Sequence, residues 1–172
     1  MPVVQNEMNV AITGASGFIG RAVAQNLQSS GHIVRAISLR GGLPAGALAG
    51  VNAVVHLAGE PVAQRWTEAA RDKILRSRVE GTRALVAAMR GQPPQVLISA
   101  SAVGYYGSRG DEILTESAPP ADDFLGKVAA AWEKKHKPPN PWVFVWRGCG
   151  SVWSWAQTEA RSRECFRRSG WA

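Results

Sequence analysis

Apolar residues along this chain come in two rhythms that alternate. Met8–Thr13, "MNVAIT", is a short apolar run with β-branched residues, the mark of a strand buried in a parallel sheet. Ile19, Val23 and Leu27 then recur at helical spacing, and Gly31 supplies a stop. Ile33, Val34 and Ile37 make a second strand. Strand, helix and strand fit into about 30 residues, the size of a βαβ unit. Ala53–Leu57 is a further buried strand. Ile74, Val79, Leu85 and Val86 mark the inner face of a long helix, which Gln92, Pro93 and Pro94 stop. Val96–Ser99 starts another strand, and "ADDFLGKVAAAWEK" another helix, with Asp122 as its cap. "WVFVW", residues 142–146, alternates and is rich in β-formers.

Alternating strands and helices predict an α/β fold with a Rossmann-like, doubly wound parallel sheet. One piece is short. "GGLPAGALAG", residues 41–50, is too brief and too glycine-rich for a strand, a crossover and a second strand. In the strand order 3-2-1-4-5-6 the third strand lies at the edge, so its loss leaves the centre intact. The expectation is a truncated sheet whose third edge strand is missing or vestigial.

The turn after the first strand carries the chemistry. Gly14 permits a tight turn, Gly17 lets backbone approach a pyrophosphate, and Gly20 allows close helix packing. The helix start offers unpaired N–H groups and a positive dipole end. A glycine triplet alone is weak evidence; between a strand and an amphipathic helix it is strong. Ser16, Phe18 and Ile19 complete the candidate cofactor loop. About 20 residues further on, an NAD site wants an acidic residue for the ribose hydroxyl. Here the place reads Ser38, Leu39, Arg40. No carboxylate repels a 2′-phosphate, and Arg40 can grip one, so NADP is expected over NAD. The plainer reading of Arg40 is a solvated loop arginine.

Composition changes this picture little until the tail. The net charge of +7 invites a nucleic-acid reading, but residues 1–133 hold 12 Lys+Arg against 11 Asp+Glu, and residues 134–172 hold 8 against 2. The basic excess belongs to the tail, and no nucleic-acid partner is expected. No apolar run of about 18 residues exists, and no export signal opens the chain, so neither a membrane partner nor secretion is expected. Cys149 and Cys165 make no framework or metal pattern, and a cytoplasmic location is the default. His32 and His136 lack metal-ligand spacing, so no metal site is expected. His56, inside a strand, reads as a satisfied core histidine.

"TGASGFIG", "HLAG", "RVEGT" (with Arg78 where the motif has Asn) and "SASAVGYYG" together resemble the extended short-chain dehydrogenase/reductase family. "LAGEPVAQRW", "SASAVGYYG" and "DDFLGKVAAAWE" resemble its atypical epimerase branch, of the NAD-dependent epimerase/dehydratase type. The resemblance covers about residues 8–134. It implies that Leu57, Ala58 and Gly59 lie near the cofactor and that Ser101 orients substrate. It also implies a Tyr-x-x-x-Lys pair as general base, which is not found: four residues before Lys127 stands Asp123, and next to it Phe124. Tyr105 or Tyr106 could stand in as a catalytic phenol, although ring packing is the plainer role.

The tail sets itself apart. Residues 141–172 hold five of the seven tryptophans and both cysteines. Permitted codons, shifted by one frame, restore family-like text across it, so we expect a frameshift near Lys134–Lys135; the DNA from codon 130, read in all frames, decides this. Residues 1–133 are then the dinucleotide-binding domain. Residues 134–172 are a non-family tail, irregular beyond a stretch able to serve as a makeshift sixth strand. The expected function is an NADP-binding domain related to nucleotide-sugar epimerases or oxidoreductases, with little or no turnover where the substrate is not enclosed. The alternative is a non-catalytic, dinucleotide-responsive binding or regulatory module. The substrate is an unnamed small molecule, and a homo-oligomer stays open.

Overall fold

The computed structural model describes residues 7–135 and a strand at 143–146. Five parallel strands form one sheet: β1 (Asn9–Thr13), β2 (Ile33–Ile37), β3 (Ala53–His56), β4 (Val96–Ala100) and β5 (Val143–Trp146), in the order β2-β1-β3-β4-β5. Three helices connect them: α1 (Phe18–Ser29), α2 (Glu68–Ala88) and α3 (Phe124–Glu133). A short 3-10 turn, Val103–Tyr105, follows β4.

Burial on both faces explains the unbroken apolar strands. Val10, Ile12, Ala53 and Val55 point to one side, where Val23, Ala24 and Leu27 of α1 cover them. Ala11, Ile37, Val54 and Leu97 point to the other, against Leu85 and Met89 at the end of α2. The register Thr13↔Ile37 and Thr13↔His56 ends β1, β2 and β3 at one level, and the loops that follow share one crevice.

The expected loss of the third strand is borne out. Along the chain no strand forms between β2 and β3, and β2 is the sheet edge. Residues 38–52 run as turns beside it. They are fastened by Leu48, buried in the core, and by Arg35, whose Nη1 donates to the carbonyls of Ala47 (3.2 Å) and Ala49 (3.1 Å). A charged residue on the outermost strand also discourages pairing with other chains.

Three details differ from the sequence pattern. Asp123, not Asp122, caps α3: its carboxylate accepts from the Gly126 N–H at 2.7 Å, while Asp122 faces solvent and pairs with Lys127 at 2.9 Å. β3 ends at His56, one residue earlier than expected, with the Leu57 N–H to the Thr13 carbonyl as the last rung of the ladder. On α2 Thr82 is fully buried beside Ile74 and Leu85, while Val79 is half-buried, since a hydrogen-bond network draws the Thr82 hydroxyl inward. Among the described residues no helix is long and apolar enough to cross a membrane. The expectations for residues 136–142 and 147–172 lie outside the described residues.

Candidate dinucleotide site

The crevice opens where β1, β2 and β3 end. Gly14 leaves β1 with φ of +74°, and a Cβ there would lie 2.8 Å from the Leu57 carbonyl carbon and 2.9 Å from the Ala58 nitrogen. The turn is closed by the Gly17 N–H donating to the Gly14 carbonyl at 3.0 Å. A Cβ on Gly20 would collide with that same Gly14 oxygen, so Gly20 lets α1 close onto the loop rather than onto the sheet. Gly17 caps α1 with no side chain, and the first turn holds no acidic residue. Ser16, Gly17 and Phe18 are exposed, Ile19 is half-buried, and Arg21 braces the loop by donating to the Ser16 carbonyl at 2.6 Å. Backbone N–H groups at a helix start, with no bulk or negative charge in front, fit a diphosphate.

Ser38 and Arg40 follow β2, both exposed, with the Arg40 N–H donating to Ser38 Oγ at 3.2 Å. They line a cavity of about 360 Å³ together with Arg35, Gly42, Pro44 and Ala47. No acidic residue lines it.

The third wall is Leu57–Glu60. Thr13 Oγ1 accepts from the N–H groups of Leu57 and Ala58, each at 3.3 Å, and lies 2.6 Å from His56 Nδ1. His56 Nε2 is 2.9 Å from Thr82 Oγ1, which also accepts from Trp132 Nε1 at 2.9 Å. Thr13, His56 and Thr82 are fully buried, so His56 is a satisfied core histidine, as its strand position suggests. Arg78 holds the far end of the wall. Its Nη1 donates to the carbonyls of Glu60 (3.0 Å) and Ile74 (3.2 Å), and its guanidinium lies 5.4 Å from the Trp132 ring. Burial lowers the Arg78 pKa below its ordinary value, and Glu60 partly offsets this. Gly59 accommodates it, since a Cβ there would meet Arg78 Cζ at 3.0 Å.

On the far side, Ser101 just beyond β4 donates to Glu133 Oε1 of α3 at 2.5 Å. Tyr105 and Tyr106 pack edge to face with centroids 5.1 Å apart, and the Tyr105 carbonyl accepts from the Ala121 N–H. Asp123 is occupied as a cap and Lys127 as a partner of Asp122, so neither forms a Tyr–Lys-like pair. Phe124 packs against Trp66 at 5.5 Å. Sequence reasoning missed Thr13, Thr82, Trp132 and Glu133. A polar residue at an inner-face helical position, such as Thr82, was the available signal.

An open parallel sheet with a glycine turn after its first strand is the architecture of the Rossmann-like α/β proteins. The model of the NAD dependent epimerase/dehydratase family matches residues 10–130, and the chain belongs to that family. It is 33% identical over 153 residues to the chloroplastic epimerase family protein SDR39U1 homolog of Arabidopsis thaliana, covering 75% of this chain and 44% of that one. To the epimerase family protein YfhF of Bacillus subtilis it is 34% identical, covering 74% and 49%. The chain thus spans about half the length of the curated relatives it matches. Among solved structures it resembles a nucleoside-diphosphate sugar epimerase from Corynebacterium glutamicum (35% identity, TM-score 0.64, 75% of this chain and 30% of that one). It also resembles human epimerase family protein SDR39U1, isoform 2, with NADPH (28%, 0.69, 87% and 58%). A third is a short-chain dehydrogenase/reductase superfamily protein from Agrobacterium tumefaciens with bound NAD (29%, 0.62, 74% and 43%).

Proposed function

We propose that this chain binds a nicotinamide dinucleotide, NADP(H) ahead of NAD(H), as the cofactor domain of a nucleotide-sugar epimerase or oxidoreductase. The observation that carries the reading is the Gly14–Gly20 loop, which abuts the Leu57–Ala58 wall and whose spaces a side chain would fill. Gly14, Ser16, Gly17, Phe18, Ile19 and Gly20 would face the diphosphate. Leu57, Ala58 and Gly59 would face the nicotinamide half, and Ser38 and Arg40 the adenosine ribose. The acid-free cavity around Arg40 supports NADP, as does the NADPH in the human relative's structure; the Agrobacterium relative holds NAD. Titration by nucleotide fluorescence should give tighter binding of NADPH than NADH, and Arg40→Asp should cut that preference at least tenfold. An unchanged ratio would mean that Arg40 is a solvated bystander.

A bound nicotinamide supplies hydride transfer; this chain's residues supply orientation. Ser101 would meet a substrate oxygen as a hydrogen-bond acceptor, because its proton is engaged by Glu133. No phenol precedes Lys127 at the family spacing, which supports little or no turnover on a nucleotide sugar. Normal turnover alongside tight NADPH binding would refute that part. The same observation favours a second reading, a dinucleotide-responsive module without catalysis.

A further inference from the structure

The wall of the candidate site is held from behind by a hydrogen-bond chain, oriented by the N–H groups that gather at its Thr13 end. A threonine hydroxyl has one proton and two lone pairs. Thr13 Oγ1 accepts from the Ala58 N–H and shares the Leu57 N–H with its own main-chain carbonyl, at 3.3 Å and 3.1 Å. Its proton is then left for His56 Nδ1, 2.6 Å away. A neutral imidazole that accepts at Nδ1 carries its own proton at Nε2. That proton goes to Thr82 Oγ1 at 2.9 Å, where the indole N–H of Trp132, which can only donate, also arrives. In the opposite tautomer the Nδ1–H would join the Ala58 N–H and the shared Leu57 N–H at Thr13 Oγ1, and the Thr82 hydroxyl would turn its own proton to Nε2. Donation therefore runs from Thr13 at the end of β1, through His56 of β3, to Thr82 of α2, where Trp132 of α3 also donates. Its first member fixes the backbone that Gly14 touches.

We propose that Thr82 is a positioning residue for the dinucleotide site: through the Nε2–H tautomer of His56 it aims the Thr13 hydroxyl that holds the Leu57–Ala58 backbone. The inference rests on the reading that the Gly14–Gly20 loop takes a dinucleotide. Thr82 touches no ligand in this scheme. Its hydroxyl keeps the imidazole proton on Nε2, which keeps Nδ1 an acceptor, which orients Thr13. Removing the hydroxyl leaves a buried imidazole N–H without its acceptor, and the ring then turns or changes tautomer to find another.

The experiment uses the full chain with NADPH and NADH as probes. Thr82→Val keeps the shape and removes the hydroxyl; Thr82→Ser keeps the hydroxyl. The valine variant should weaken NADPH binding about tenfold, the size of one lost buried hydrogen bond. The serine variant should bind like the wild type. Long-range ¹H–¹⁵N spectra of the wild type should show His56 protonated at Nε2 only. Amide exchange at Leu57 and Ala58 should quicken in the valine variant with no nucleotide present. Wild-type affinity in Thr82→Val, or a His56 protonated at Nδ1, would overturn the inference and leave the binding reading standing. A wild-type chain that binds neither nucleotide would overturn both. Should the valine variant fail to fold, the wild-type tautomer and the serine variant's affinity still decide.

Discussion

Gly20 stands where a methyl group has no room. Its missing side chain would run into the Gly14 carbonyl oxygen and lie 2.8 Å from Ala15 Cα. Both obstacles are backbone, so neither can rotate away, and the loop must move. Gly20→Ala should cost about 1–3 kcal/mol, the range for overpacking a tight site, read as a lower urea midpoint with an unchanged m-value. It should also weaken NADPH binding, because the oxygen displaced is the one that closes the Gly14–Gly17 turn. A variant with wild-type stability and affinity would show that α1 does not press on the loop. At this scale the sequence was readable where a residue's smallness or charge is itself the signal. Gly14, Gly17 and Gly20 announce the turn, and Ser38 with Arg40 announces the missing carboxylate. Thr82 was not readable in that way. A threonine in a helix looks like surface, and its inward aim exists only because His56 and Trp132 arrive from β3 and α3, 26 and 50 residues away. The preference of Asp123 over Asp122 as a cap is likewise decided by where the helix begins, which neighbouring aspartates leave ambiguous.

Elements here stand in for one another. The segment 41–50 replaces an edge strand, and it does so without pairing, through one buried side chain and one arginine. Leu48 is 6% exposed and packs with Ala11, Ile37, Val54, Leu85, Met89 and Leu97. Arg35 reaches across to the carbonyls on either side of it. If this fastening is what closes the α2 face of the sheet, Leu48→Ala should cost about 2–4 kcal/mol, as buried leucines do. An irregular loop that merely lay on the surface would lose only a few tenths. Thermal or urea unfolding separates the two, and a loss under about 0.5 kcal/mol would show the loop to be decoration. The absence of a strand was legible from length and glycine content; the pinning was not, because it depends on Arg35 being on the outermost strand, a property of strand order rather than of local pattern. Helix α3 shows the same logic in a different form. Its consecutive residues Trp132 and Glu133 reach in two directions, one to Thr82 and the buried chain, the other to Ser101 beyond β4. One helix end thereby ties the buried chain behind the Leu57–Ala58 wall to Ser101 beyond β4.

Across the whole molecule, the two sheet edges are unlike. At β2 the exposed residues include Arg35, and the 38–52 segment lies alongside. At the other side β5 pairs with β4 from Leu97↔Val143 to Ala100↔Trp146. Its neighbour β4, "VLISA", carries no charge, and Ile98 is 40% exposed. An uncharged, apolar strand whose outer N–H and C=O groups lose their partner is a template for pairing with a second chain. The family match covers residues 10–130, so β5 lies beyond the part of the chain that the match accounts for, yet it supplies the hydrogen bonds that β4 needs on that side. Ending the chain after Lys135 should therefore leave β4 open and produce self-association, seen as growth in light scattering at concentrations where the 172-residue chain scatters less. Adding Ile98→Lys to the shortened chain should suppress that growth, since a charge on an open edge blocks strand addition without restoring any contact to β5. NADPH affinity should survive the shortening, because Gly14, Arg40 and Ala58 stand at the ends of β1, β2 and β3, separated from β5 by β4. A shortened chain that stays dispersed would mean that β4 is covered by something other than strand pairing, and the lysine would then change nothing.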